Sequence, residues 1–179
     1  MGAALVAALV AAGCGSAGSN DAPRPAEQQA FRAYVRAIEP LRHGVDRLLD
    51  GADPILSGYR EHRLSAAAAA RTLRQLERRF MGFENAVAAV RNAPPDLVAP
   101  QHAYAHTYVL EDRYLRALIA VLPSRQWDRL PRYEDRQRRT LVAWREAMAL
   151  EAARVQVPLP NDIQIAGRGE IAPSPTENS

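Results

Sequence analysis

Apolar side chains recur every third or fourth residue over one long stretch of the chain, and this spacing limits its fold more than any other feature. The positions are Phe31, Tyr34, Ile38, Leu41, Val45, Leu48, Ala52, Ile55 and Tyr59. Such spacing places side chains on one face of an α-helix, which must then pack against other helices. Pro40 and Pro54 lie within the pattern, although proline normally kinks or ends a helix. Because the spacing continues across both prolines, we predict one long kinked helix from Ala26 to Glu61; the alternative is a break near residues 51–54, with Asp53 as cap and Pro54 at the first helical position.

Three further helices are predicted from the same periodicity and from residues that start and stop helices. The second begins after Ser65, a preferred N-cap residue, and runs to about Arg91. The third begins between Leu97 and Gln101 and ends at Leu122 before a proline, and the fourth runs from Arg132 to Val155.

Composition supports helices, since 47% of the residues are hydrophobic but only 6% are aromatic. A core of alanine, leucine and valine favours helix over strand. We therefore predict an all-α fold, an antiparallel up-down four-helix bundle over residues 26–158 with a long kinked first helix. An irregular tail follows over residues 159–179 and is expected to be disordered at its end.

The N-terminus carries an apolar run, Ala3 to Ala12, followed by Gly13, the single cysteine Cys14, and a polar stretch over residues 15–20. The run is too short to span a membrane, which takes about 20 residues, but it has the size of a signal-peptide core. This arrangement resembles the lipobox of bacterial lipoproteins. The resemblance implies cleavage after Gly13, with Cys14 linked by a thioether to diacylglycerol and becoming the mature N-terminus.

The match departs from the family pattern at two points. Ala11 stands where family members usually carry leucine, and no lysine or arginine precedes the apolar run, so we expect the true start to lie upstream of Met1. We predict a signal peptide over residues 1–13, a lipidated cysteine with a flexible tether over residues 14–25, and an extracytoplasmic domain anchored to the bacterial cell membrane. A cytoplasmic helical protein with an ordinary, unlipidated Cys14 is the alternative.

Two histidines, His102 and His106, are spaced so that both lie on one face of the third predicted helix. This spacing suits a metal, but a zinc site needs three or four ligands. His62 would lie roughly 35 to 50 Å from His102 at 1.5 Å per residue. Additional ligands would have to come from residues such as Glu27, Glu84 or Glu151. A helical-bundle metal-binding protein using His102 and His106 is therefore the alternative function, and we assign no metal or other cofactor.

All 23 basic residues other than histidine are arginine, and the formal net charge is +3. The strongest local excess lies between residues 125 and 139, where Arg132, Arg136 and Arg139 could form a docking patch for an anionic lipid, polymer or partner. Solvated helix surface with pairs such as Glu134–Arg138 is the simpler interpretation. The charge is too small to indicate nucleic-acid binding.

No catalytic motif of the common hydrolase, nucleotide-binding or zinc-protease types is present. We therefore predict no enzymatic activity. The abundance of alanine and arginine is similar to that of small lipoproteins of high-GC Gram-positive bacteria, a similarity that identifies no partner. The sequence thus predicts a membrane-tethered binding or interaction module of the cell envelope, with an unknown envelope protein or anionic polymer as its partner.

Overall fold

The computed structural model describes residues 22–130, 134–164 and 175. Within these residues every regular element is helical, as predicted, and no strand is present. The helices are α1 (Pro25–Asp50), α2 (Asp53–Arg60), α3 (Ala66–Ala88), α4 (Val98–Val121), α5 (Glu134–Arg154) and the single turn α6 (Asn161–Gln164). Short 3-10 turns at Pro95–Leu97 and Trp127–Arg129 precede α4 and α5. No described helix is both apolar and long enough to cross a bilayer.

The prediction of one long kinked first helix is wrong, because α1 ends at Asp50 and α2 begins at Asp53. Pro40 is tolerated within α1 at an exposed position, whereas Pro54 stands in the first turn of α2, where a backbone N–H would have no partner within the helix. At the break, the N–H groups of Gly51 and Ala52 donate to carbonyls three residues earlier, at 3.2 and 2.8 Å. Both residues keep right-handed helical dihedral angles, so the apolar stripe stays in phase across the break.

The start of α3 agrees with the prediction. Ser65 has an extended backbone, and its hydroxyl accepts a hydrogen bond from the N–H of Ala68 at 3.2 Å. The helix ends at Ala88 rather than at the predicted Arg91. Gly82, inside α3, has open space around it, with no atom within 4 Å of an added Cβ.

Helix α4 lies against both α3 and α5, while α1 and α2 lie against α3. Much of the circumference of α4 is therefore buried, including several polar residues. Two hydrogen bonds show which helix ends are neighbours. The side-chain amide of Gln28 at the start of α1 donates to the carbonyl of Val155 beyond α5 at 3.0 Å. The hydroxyl of Tyr59 in α2 donates to the carbonyl of Leu122 beyond α4 at 2.6 Å.

The segment that follows α5 contributes to the core. Val157, Leu159 and Ile163 are buried in the same hydrophobic cluster as the long helices, and α6 lies against α5. The predicted irregular tail therefore includes an ordered turn of helix at its beginning. The remaining tail lies outside the described residues except for Pro175, which is buried and accepts a hydrogen bond from Arg60 at 3.4 Å.

Candidate functional site

A chain of hydrogen bonds between buried side chains links the four long helices. Trp144 of α5 donates from its indole nitrogen to the hydroxyl of Tyr34 in α1 at 3.1 Å. That hydroxyl donates to the side-chain oxygen of Gln101 in α4 at 2.5 Å, and the Gln101 amide donates to the carbonyl of Val87 in α3 at 3.1 Å. Burial raises the pKa of Tyr34 to about 12, partly offset by the hydrogen bond from Trp144. These polar groups satisfy one another, so we assign them to holding the helices together.

The tyrosines of α4, Tyr104, Tyr108 and Tyr114, also belong to the core. Tyr104 stacks on Trp144 with ring centroids 4.3 Å apart, and its hydroxyl lies 2.7 Å from that of Tyr108. Nearby, the buried amide of Gln137 donates to the carboxylate of Glu111 at 2.7 Å. Gln137 thereby gives this buried carboxylate a hydrogen-bond partner.

Asp112 lies at the buried edge between α4 and α3. Its carboxylate accepts a charged hydrogen bond from Arg116 at 2.8 Å, and Arg116 also reaches Glu77 of α3 at 3.0 Å. The other oxygen of Asp112 is buried without a hydrogen-bond partner. Burial raises the pKa of Asp112, and the charge of Arg116 opposes that shift.

The two candidate metal ligands, His102 and His106, are both exposed on α4. Two of the proposed additional ligands are engaged elsewhere, since Glu27 and Glu151 both bind Arg154, at 3.4 and 2.8 Å. Within residues 22–130 and 134–164, no three His, Cys, Asp or Glu side chains come close enough to hold a metal ion. The structure therefore supplies no ligand set around the two histidines in this part of the chain.

Two of the three arginines proposed as a docking patch line a shallow cavity between α4 and α5, which we call the basic recess. Its volume is about 280 Å³, and its lining comprises Pro100, Ala103, Arg136, Arg139, Thr140, Ala143 and Trp144. Arg136 and Arg139 are exposed, and neither forms an ion pair with any side chain that the structure describes. Arg132, the third proposed residue, lies outside the described residues. The recess thus combines two guanidinium groups with an apolar floor.

A larger cavity, the α5 groove, lies on another face of the same helix and was not predicted. It has a volume of about 660 Å³ and is lined by Val142, Arg145, Glu146, Ala149, Ala152, Ala153, Gln156, Val157, Pro158, Leu159 and Ile163. The sequence does contain a signal for it, since Val142, Ala149 and Ala153 form a second apolar line on α5, away from the core-facing stripe. Leu150 beside this line is 74% exposed.

Gly13 and Cys14, the predicted cleavage and lipidation residues, lie outside the described part of the chain. Comparison with protein-family models, curated proteins and solved structures finds no match to this chain.

Proposed function

We propose that the chain is a lipoprotein of the bacterial cell envelope, anchored through Cys14, whose helical domain is a non-catalytic binding module. The observation that carries the binding function is the basic recess, where Arg136 and Arg139 are exposed and unpaired among the described side chains beside the apolar floor that includes Trp144. Guanidinium groups bind carboxylates and phosphates through paired N–H donors. We therefore assign an anionic ligand of the envelope to the recess.

The anchor is supported by the lipobox resemblance and by the position at which the chain enters the domain. Residues 15–24 separate Cys14 from the first residue of α1, and ten extended residues reach about 35 Å. The beginning of α1 is held to the end of α5 by the ion pair between Glu27 and Arg154 and by the bond from Gln28 to Val155. The tether would thus leave the domain from a defined end.

We also propose that the four long helices form an antiparallel up-down bundle. Contacts along two of the helix pairs support this arrangement. Along α3 and α4, residue 87 contacts residue 101 while residue 77 contacts residue 116. Along α4 and α5, residue 104 stacks on residue 144 while residue 111 contacts residue 137. As the residue number increases along one helix, the number of the residue that it contacts on the next helix decreases, as antiparallel packing requires.

A non-catalytic role is supported by the composition of the recess. Its described lining has two cations and one hydroxyl, but no carboxylate, imidazole or thiol. General acid–base or nucleophilic catalysis ordinarily draws on such groups. The recess is therefore suited to hold an anion and not to transform it.

The anchor is tested by mass spectrometry of the protein from the membrane fraction. We expect a mature N-terminus at Cys14 bearing diacylglycerol, and release of the Cys14→Ser variant from the membrane. An unmodified Cys14 in a chain that retains Gly13 would remove the lipoprotein assignment and leave the binding proposal standing.

The recess is tested by binding of the full-length Cys14→Ser chain to vesicles containing phosphatidylglycerol, with neutral vesicles as reference. Each arginine near an anionic surface contributes about 1 kcal/mol, so the paired change Arg136→Gln and Arg139→Gln should weaken binding about 30-fold. The matched control, Arg71→Gln with Arg78→Gln, removes the same charge from exposed positions of α3. Equal weakening by both pairs would show that only net charge matters and would overturn the assignment of the recess.

A further inference from the structure

The α5 groove is shaped by a wall of chain that folds back along α5. After α5 the chain turns at Gln156, which adopts a positive φ of 55°, and the N–H of Val157 donates to the carbonyl of Ala152 at 3.0 Å. Leu159 and Ile163 then anchor the segment in the core, with exposed fractions of 9% and 1%. The wall of the groove is therefore held in place by buried side chains.

The groove is long and has a floor of small side chains. Its lining extends along α5 from Val142 to Ala153, about 17 Å at 1.5 Å per residue. Ala149, Ala152 and Ala153 form the floor, so the cavity reaches close to the helix backbone. A volume of about 660 Å³ lies in the range of small-molecule sites, which are mostly apolar with a few polar groups that orient the ligand.

One cation lies among these apolar residues. Arg145 lines the groove near its Val142 end, and its Nε is buried without a hydrogen-bond partner. The rest of the side chain is partly exposed, and a carboxylate can accept two N–H groups of one guanidinium. Two acids are near: Asp46 of α1 is within electrostatic range of Arg145, and Glu146 is exposed on the lining. Neither acid forms an ion pair with Arg145.

We infer that the α5 groove binds a long-chain fatty acid, with the hydrocarbon chain along the alanine floor and the carboxylate on Arg145. The length and apolar lining match an extended alkyl chain, and the guanidinium of Arg145, the one cation on this described lining, matches an anionic head group. Arg139 of the recess and Arg145 point about 120° apart around α5. The groove is therefore separate from the recess, and this inference goes beyond the proposed function and does not depend on it.

The probe is palmitate, titrated by calorimetry into the full-length Cys14→Ser chain, so that no attached lipid competes. We expect binding of one palmitate per chain. Arg145→Gln should weaken it about tenfold, because a charged hydrogen bond is lost. The matched control, Arg71→Gln, removes one charge from an exposed position of α3, away from the groove, and should leave palmitate binding unchanged. Shortening the acid should weaken binding by up to about fourfold per methylene removed.

Two substitutions each place a bulky side chain in the groove. Ala149→Trp and Ala153→Trp place an indole on exposed positions of the floor, and each should abolish palmitate binding. Circular dichroism and thermal unfolding identify any variant that fails to fold, and the other variant then provides the test. Absence of palmitate binding to the parent chain, or binding that persists in both tryptophan variants, would overturn the inference. Dimerisation of the parent chain that these variants abolish, without palmitate binding, would assign the groove to a second copy instead.

Discussion

Replacing Tyr34 by phenylalanine removes one hydroxyl from the centre of the hydrogen-bond chain that joins the four long helices. Tyr34 is fully buried, with an exposed fraction of 0%. The change leaves the indole N–H of Trp144 and the side-chain oxygen of Gln101 without their partner at a site that excludes water. Each buried polar group that loses its partner costs about 1–3 kcal/mol. We expect Tyr34→Phe to lower the free energy of unfolding at pH 7 by about 2–4 kcal/mol.

The same hydroxyl makes the effect depend on pH. Burial raises the pKa of Tyr34 to about 12 in the folded chain, whereas an exposed tyrosine in the unfolded chain has a pKa of about 10. Above pH 10 the unfolded state loses this proton and the folded state keeps it, so the stabilisation is complete below pH 10 and falls as the pH rises toward 12. A difference of two units between the folded and unfolded pKa corresponds to about 3 kcal/mol in the free energy of unfolding. The difference between parent and Tyr34→Phe should therefore shrink to about 1 kcal/mol or less near pH 12.

Urea unfolding followed by far-UV circular dichroism, at pH values from 7 to 12, measures both quantities for parent and variant. Comparison with the variant cancels the titration of the other tyrosines. Adding Gln101→Leu completes a double-mutant cycle, which should give a coupling energy above about 1 kcal/mol because the two side chains share one bond. A loss at pH 7 below about 0.5 kcal/mol, or a difference that stays constant up to pH 12, would refute the assignment of Tyr34 as the link between helices.

Two further predictions concern packing and charge. Gly82→Ala should stabilise the chain by about 0.5–1 kcal/mol, since alanine favours a helix and nothing lies within 4 Å of the added carbon. Gly44→Ala should be less stable than Gly82→Ala, because its Cβ would overlap the ring of Phe83. Thermal unfolding of both variants tests this, and equal shifts in their melting temperatures would contradict it. Asp112→Asn should stabilise the chain more at pH 7 than at pH 3, because burial raises the pKa of Asp112 above its ordinary value of about 4 and the folded parent chain therefore loses stability as the pH rises through that raised value. Urea unfolding at both pH values measures the change. If the variant lowers the free energy of unfolding more at pH 7 than at pH 3, the ion pair with Arg116 outweighs burial.

The buried polar groups of this domain serve its packing, whereas its cavities lie on the surface. The side chains of Tyr34, Gln101 and Gln137 find hydrogen-bond partners in neighbouring helices, which holds the packing in one arrangement. Arg42 is also buried, with its guanidinium carbon 5.6 Å from the ring centroid of Trp144. Two of the described cavities lie instead on outer faces of α5, one lined by two arginines and one mostly apolar.

Local signals in the sequence were sufficient for the helical class and for most helix ends. The stripe from Phe31 to Tyr59 requires only the helical period, which is a property of neighbouring residues, and all but one of its nine members are buried. Ser65 caps α3 through a bond within its own turn. The break at residues 51–52 was harder to predict, because the stripe cannot distinguish a kinked helix from two helices that stay in phase.

The sequence by itself determined the helical class of the described residues, the core-facing stripes, and the residues that start helices, because these depend on interactions within a few residues. Only the tertiary structure decided the rest. It left His102 and His106 exposed, placed Arg136 and Arg139 beside Trp144, and opened a groove along the outer face of α5. Each of these depends on which helices become neighbours and on where the segment after α5 folds back. Those contacts join residues far apart in the chain, and a local pattern in one sequence contains no record of such pairings.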